Sequence, residues 1–105
     1  MAPMSSLHLI ERNNGFQQLR GTKDEWESGF WEIPVETAEK LVGGDVYFHE
    51  KQRTPSFFGG EILGFRTQAE GPYTGRVVLR FRFARDHKDV AGGGTGWAME
   101  KKIVL

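Results

Sequence analysis

Residues Trp31–Arg66 read WEIPVETAEKLVGGDVYFHEKQRTPSFFGGEILGFR, and this stretch decides the fold that the sequence predicts. Apolar residues recur at helical spacing over about residues 33–42, and Gly43-Gly44 follows as a typical helix end, which predicts one short α-helix. Asp45–Glu50 alternates apolar and polar residues as strands do, and Glu61–Arg66 is another predicted strand beyond an aromatic loop. This order of elements is typical of a compact β-barrel with a helix and a loop above one opening.

Further strands are predicted outside that stretch, at Leu7–Arg12, Phe16–Leu19, Arg76–Phe83 and Trp97–Leu105. The acidic segment Gly21–Gly29 is interpreted as a surface loop. Together the elements predict a mostly β (α+β) protein, a small antiparallel pseudobarrel of five to six strands with one short helix. Because 105 residues suffice for one domain and not for two, residues 1–105 are expected to form a single domain.

Charge is unevenly distributed along the chain, although 14 Lys and Arg residues balance 14 Asp and Glu residues overall. Residues 1–50 carry four basic and nine acidic side chains, whereas residues 51–105 carry ten basic and five acidic ones. This asymmetry predicts either a basic face and an acidic face, or two halves that neutralise one another across strand pairs.

Several classes of site are excluded or left without candidates. The chain has no cysteine, which excludes disulfides and thiolate metal sites and fits a cytoplasmic location. No apolar run approaches the ~18 residues of a membrane-spanning helix, so no membrane partner is expected. The three histidines, His8, His49 and His87, are scattered along the chain and predict no metal site. No serine lies in a nucleophile motif, so no catalytic residue and no cofactor are identified.

The clearest strand, Arg76–Phe83, carries a row of basic residues on one face: Arg76, Arg80 and Arg82. Such a stripe binds phosphodiester backbones by ion pairing and release of counterions. The alternative is a solvated outer face that has no partner.

Aromatic residues are concentrated in or beside the predicted loops: Trp26, Phe30, Trp31, Phe57 and Phe58. Loop aromatics are typical of surfaces on which nucleobases stack, and Gly59-Gly60 leaves the neighbouring phenylalanines accessible. The alternative is that most of these rings close the ends of the barrel. His49 shares a strand face with Tyr47, and is either the wall of a pocket or a histidine of the core.

The order of these motifs resembles the PUA-like superfamily, especially its EVE and ASCH branches. The matching features are aromatic residues before a short helix, the segment Leu41–Phe48, and the strand Gly60–Gly64 after a loop. The resemblance implies a pseudobarrel that binds RNA or modified DNA, and in EVE-like members an aromatic pocket between helix and barrel holds a flipped base. It matches Trp26 or Trp31 to the aromatic before the helix, and Asp45 to a turn-forming aspartate.

The expected function is therefore nucleic-acid binding, with a modified or flipped base recognised in an aromatic pocket. The pocket residues would be Trp26, Trp31, His49, Ser56, Phe57 and Phe58, and the arginine stripe would hold phosphate. One alternative is a small hydrolase acting on a nucleoside-like ligand, which would use Lys51 or Lys23 with Glu50 or Glu61. Another is a protein-interaction module that forms a homodimer through the C-terminal strand, Lys101–Leu105.

Overall fold

The computed structural model describes residues 5–11, 16–92, 96–98 and 100–105. Within those residues it contains eight strands: β1 (Ser6–Ile10), β2 (Phe16–Gln18), β3 (Glu25–Trp31), β4 (Asp45–His49), β5 (Phe58–Thr67), β6 (Val77–Phe83), β7 (Trp97–Ala98) and β8 (Lys101–Val104). The helical elements are α1 (Val35–Leu41), which begins after Pro34, and a single 3₁₀ turn at Arg85–His87. Arg12, predicted to end the first strand, lies outside the described residues.

All eight strands belong to one sheet in the order β2-β3-β6-β5-β4-β1-β8-β7. β1 and β4 are parallel and the other neighbours are antiparallel, so the sheet is mixed, and it does not close on itself. The prediction of a mostly β protein with one short helix is confirmed. The prediction of five to six antiparallel strands is wrong, because alternation within a strand carries no information on the direction of its neighbour.

The predicted loop Gly21–Gly29 is also wrong in part, because β3 begins at Glu25. Its inward residues include Ser28, which is fully buried, and its outward residues include Glu25 and Glu27. Glu25 pairs with Arg80 on the adjacent strand β6, and Glu27 pairs with Arg66 on β5, the next strand beyond it. The acidic composition that indicated a loop therefore belongs to the outer face of a strand.

The hydrophobic core lies inside the curl of the sheet and beneath α1. Phe48 on β4 and Phe81 on β6 are fully buried there, and α1 contributes Ala38 and Leu41. Phe16 on β2 packs edge-on against Phe48 at 4.7 Å, although three strands separate β2 from β4 in the sheet order. The sheet must therefore curl strongly around its core. None of the helices in the described part of the chain has the length and apolar character needed to cross a membrane.

Close backbone packing explains the glycine at position 60 of β5. A Cβ atom added there would overlap the carbonyl oxygen of Arg82 on β6. Gly64, four residues along the same strand, has no such neighbour within 4 Å. Only glycine fits at position 60, because the backbones of β5 and β6 approach each other closely there. The two glycines before Glu61 belong to the strand, so β5 begins at Phe58 and not at Glu61 as the sequence predicts.

Candidate functional site

Four aromatic side chains surround a hollow of about 300 Å³ that opens to solvent: Phe16, Trp26, Phe57 and Phe58. We call this feature the aromatic hollow. Phe58 is its centre, because its ring meets Trp26 edge-on at 5.5 Å and Phe16 edge-on at 5.0 Å. Phe57 lies 6.1 Å from Phe16 in the same kind of contact. All four side chains are half-buried, so each ring packs on the protein and also presents surface to the hollow.

The sheet register holds these rings in place. Trp26 on β3 is the partner of Phe81 on β6, and Phe58 on β5 is the partner of Phe48 on β4. Phe48 and Phe81 are fully buried and form the floor on which the exposed rings rest. The backbone N–H of Phe57 donates to the carbonyl of Phe48 at 2.8 Å, which fixes the loop residue beside the strand. The hollow is therefore built on rigid elements of the fold.

A cationic side chain is linked to the aromatic hollow through one further aromatic ring. The Phe83 ring stacks on Phe58 at 5.0 Å, and the Lys88 Nζ atom lies 5.6 Å from the centre of the Phe83 ring. Lys88 is exposed and makes no ion pair with any residue that the structure describes. A positive charge is thus linked to the hollow through the Phe83 ring.

The three arginines of the stripe, Arg80 and Arg82 on β6 and Arg76 directly before it, each form an ion pair with a glutamate. Arg76 lies 3.3 Å from Glu32, Arg82 lies 3.7 Å from Glu61, and Arg80 pairs with Glu25. Two of these pairs, Arg76–Glu32 and Arg80–Glu25, join the two halves of the chain, which is the mutual neutralisation that the charge asymmetry allowed. All three arginine side chains remain about half exposed, and such pairs contribute only about 0–1 kcal/mol each. Their glutamate partners therefore reduce the attraction for phosphate and do not block access to it.

The structure brings together three of the six pocket residues that the sequence predicts, Trp26, Phe57 and Phe58. The other three are buried elsewhere: Trp31, His49 and Ser56. The Trp31 Nε1–H donates to Ser28 Oγ at 3.1 Å within the core. Ser56 Oγ donates to the His87 carbonyl at 2.6 Å and accepts from the Val90 N–H at 3.0 Å, which ties two loops together.

Phe16 completes the aromatic hollow and was missed by the sequence reasoning. It lies on a strand of only three residues, and its contacts to Phe48 and Phe57 span more than thirty positions of the chain. Periodicity reveals which face of a strand a residue occupies, but it does not reveal which distant strand lies opposite. The aromatic character of Phe16 was the only available signal.

The residues of the other predicted functions do not assemble into a site. Lys23 and Lys51 are exposed, and neither forms an ion pair with Glu50 or Glu61 among the described residues. The described part of the chain also contains no group of three metal-ligating side chains. β8 lies between β1 and β7, although β7 covers only its first two residues. Only the end of β8, beyond Lys102, therefore has an edge that β7 leaves uncovered and that the predicted homodimer could use.

A larger cleft of about 620 Å³ lies at the opposite end of β3. Its lining includes Phe30, Tyr73, Arg76 and the acidic side chains of Glu11 and Glu100. Phe30 and Tyr73 stack in parallel at 4.8 Å, and the Arg76 guanidinium lies 5.7 Å from the Tyr73 ring. Because Arg76 is paired with Glu32 and two acidic residues line the same cleft, this cleft is less suited to an anionic ligand than the aromatic hollow.

Comparisons with known proteins identify no relative, so the functional proposal depends on the aromatic hollow alone. No protein-family model matches the chain, and no curated protein or solved structure matches it.

Proposed function

We propose that this protein binds single-stranded nucleic acid, RNA or modified DNA, and holds one base in the aromatic hollow. The observation that carries the proposal is the set of four half-buried rings around a space open to solvent. Unstacked bases bind proteins by stacking on aromatic rings, and each such contact contributes about 1–3 kcal/mol. A hollow of about 300 Å³ is at the small end of ligand sites, which suits one base and not a whole nucleotide chain.

Membership of the PUA-like superfamily is part of this proposal. The arrangement that supports it is a helix followed by Gly43-Gly44, then β4, an aromatic loop and β5. A curled, mixed sheet with one short helix is compatible with the pseudobarrel that the resemblance implies. A base in the hollow would lie over Phe58, against Trp26, and beside the loop that contains Ser56 and Phe57.

Phosphate contacts make a small contribution in this proposal. Lys88 is linked to the hollow through its contact with Phe83, whose ring stacks on Phe58. Arg80 and Arg82 are exposed, but each already has a glutamate partner. If one or two phosphates are neutralised, the logarithm of the binding constant falls with the logarithm of the salt concentration with a slope of about −1. Affinity would then come chiefly from stacking.

The test is fluorescence anisotropy of a labelled ten-nucleotide single strand titrated with the protein, as RNA and as DNA. Phe57→Leu and Trp26→Leu should each weaken binding about 5- to 150-fold, because each removes a ring from a stacked base. Phe30→Leu is the matched control, since Phe30 is an exposed aromatic outside the hollow, and it should leave the affinity unchanged.

Two results would count against the proposal. One is equal binding by the wild type and both hollow variants. The other is equal binding of the intact strand and of a strand in which every base is replaced by an abasic sugar, because a backbone without bases has no ring to stack in the hollow. A far-ultraviolet circular dichroism spectrum of each variant establishes that a change in affinity is not a loss of fold.

A further inference from the structure

The three histidines are scattered along the chain, but the fold brings them to one side of the sheet: His8 on β1, His49 on β4, and His87 in the 3₁₀ turn. β1 and β4 are parallel and in register, so His8 lies beside Tyr47 and Ile10 lies beside His49. The rings of His8 and Tyr47 stack at 4.8 Å, and the rings of Tyr47 and His87 stack at 4.9 Å. This layer is separate from the core inside the sheet and from the aromatic hollow.

Hydrogen bonds fix the position of the proton on two of these rings. His49 Nδ1 lies 2.8 Å from the carbonyl oxygen of Thr54, which can only accept, so His49 donates from Nδ1. A neutral His49 then has an unprotonated Nε2, which lies 2.9 Å from His8 Nδ1. His8 must therefore donate from Nδ1 to His49 Nε2. Both rings are neutral and both carry their proton on Nδ1.

Two residues, Gly92 and Trp97, lie directly on the His8–His49 pair, and we call these two residues the cover. A Cβ atom added to Gly92 would be 3.3 Å from His8 Nδ1, 3.3 Å from His49 Cε1 and 2.8 Å from the Trp97 ring. Trp97 also meets both imidazoles through its edge, at 6.0 Å and 5.5 Å between ring centres. The Lys102 ammonium group on β8 donates to the carbonyl of Gly92 and holds the cover in place.

Several charged or titratable groups face this pair. Lys102 approaches from β8. The Tyr47 hydroxyl lies on β4, and its pKa is raised by burial and by the nearby carboxylates of Asp45 and Asp86. His87 follows beyond Tyr47, with its two ring nitrogens each 2.8 Å from a carboxylate oxygen, one of Asp45 and one of Asp86. Glu11, buried at the end of β1, is joined to His49 through a backbone hydrogen bond of 2.9 Å.

We propose that the His8–His49 pair is an acid-sensitive latch, and that its protonation releases Gly92 and Trp97 from β1 and β4. A first added proton places a positive charge in a buried layer next to Lys102. A second leaves two facing donors and no acceptor, so the hydrogen bond between the rings is lost. The opened state relieves both costs, because the imidazolium groups reach water once the cover has moved.

Burial is the main reason why the latch is closed at neutral pH. Burial, together with the smaller effects of the neighbouring His49 and Lys102, lowers the pKa of His8 from 6.5 to about 4. Burial also lowers the pKa of His49, against the opposing effect of its hydrogen bond to Thr54. The closed state thus binds fewer protons than an open one, and acid shifts the equilibrium towards opening.

Nuclear magnetic resonance of the ¹⁵N-labelled protein tests the latch. At neutral pH, long-range ¹H–¹⁵N spectra should place the proton of both His8 and His49 on Nδ1. During acidification the Trp97 indole signal should shift with the same midpoint as the His8 ring, at least about one pH unit below the ordinary value of about 6.5. The Trp26 indole signal should not follow that midpoint, since Trp26 lies in the aromatic hollow.

Two variants identify the group responsible. His8→Asn keeps an N–H donor near the position of Nδ1 but cannot titrate, so the Trp97 transition should disappear or move down by at least about one pH unit. His87→Asn, the control histidine outside the pair, should retain the transition. Protons found on Nε2 of His49, a Trp97 signal that ignores the titration of His8, or an unchanged transition in His8→Asn would each overturn the proposal.

Discussion

Acidification should destabilise this protein through His8, by an amount that the structure allows to be worked out. The pKa of His8 is lowered from 6.5 to about 4 in the folded state. Because the unfolded chain takes up the proton first, stability is fully present above the unfolded pKa and is lost as the pH falls towards the folded one. With about 1.36 kcal/mol per pKa unit, the complete loss is about 3 kcal/mol. Most of it, about 2–3 kcal/mol, should appear by about pH 4.5.

The assay is urea denaturation of the wild type and of His8→Asn at about pH 7.5 and about pH 4.5. Carboxylates begin to titrate near the lower value, and comparison with the variant removes their common contribution. The wild type should lose up to about 2–3 kcal/mol more than His8→Asn between the two conditions, and less if the cover opens before the whole chain unfolds. Equal losses in the two proteins would refute the reasoning, because no stability would then be linked to the His8 ring.

Other substitutions test the packing and the ion pairs. Ser28→Ala removes the acceptor of the buried Trp31 indole, and thermal or urea unfolding should reveal a loss of about 1–3 kcal/mol; no loss would mean that this hydrogen bond is not formed. Gly60→Ala forces a Cβ atom into the backbone of the next strand and should cost about 1–3 kcal/mol or more, whereas Gly64→Ala, which meets nothing within 4 Å, should change stability by less than about 0.5 kcal/mol. Glu25→Gln frees an arginine of the β6 stripe, so oligonucleotide binding should strengthen and its salt slope should steepen by up to about 0.7; an unchanged slope would exclude that arginine from phosphate contact.

The sequence predicts elements whose pattern is local. α1 is recognised from its apolar spacing and the glycines after it, and its observed span, Val35–Leu41, lies within the predicted range. β4 and β6 are recognised from alternation, and in the structure Phe48 and Phe81 lie on the buried faces of these two strands. Only short-range information is needed for these decisions, because side-chain direction in a strand repeats every two residues.

The features that the sequence does not reveal depend on distant partners. The parallel pairing of β1 with β4 joins segments about forty residues apart, and the contact between His8 and His49 follows from it. The aromatic hollow needs Phe16, whose position is set by a short strand at the edge of the sheet. Three of the six predicted pocket residues, Trp26, Phe57 and Phe58, lie together around the aromatic hollow because they share a floor of core phenylalanines. Trp31 joins the core instead, since Ser28 supplies a partner for its indole.

The most direct measurement of base binding is the aromatic ¹H–¹³C spectrum of the protein during titration with a single-stranded oligonucleotide. A base stacked in the aromatic hollow should move the ring signals of Phe57, Phe58 and Trp26 upfield, and the signals of Phe30 and Tyr73 in the other cleft should stay in place. Ring signals of the hollow that remain unchanged at saturating oligonucleotide would contradict the proposed function, wherever else on the surface the nucleic acid is found.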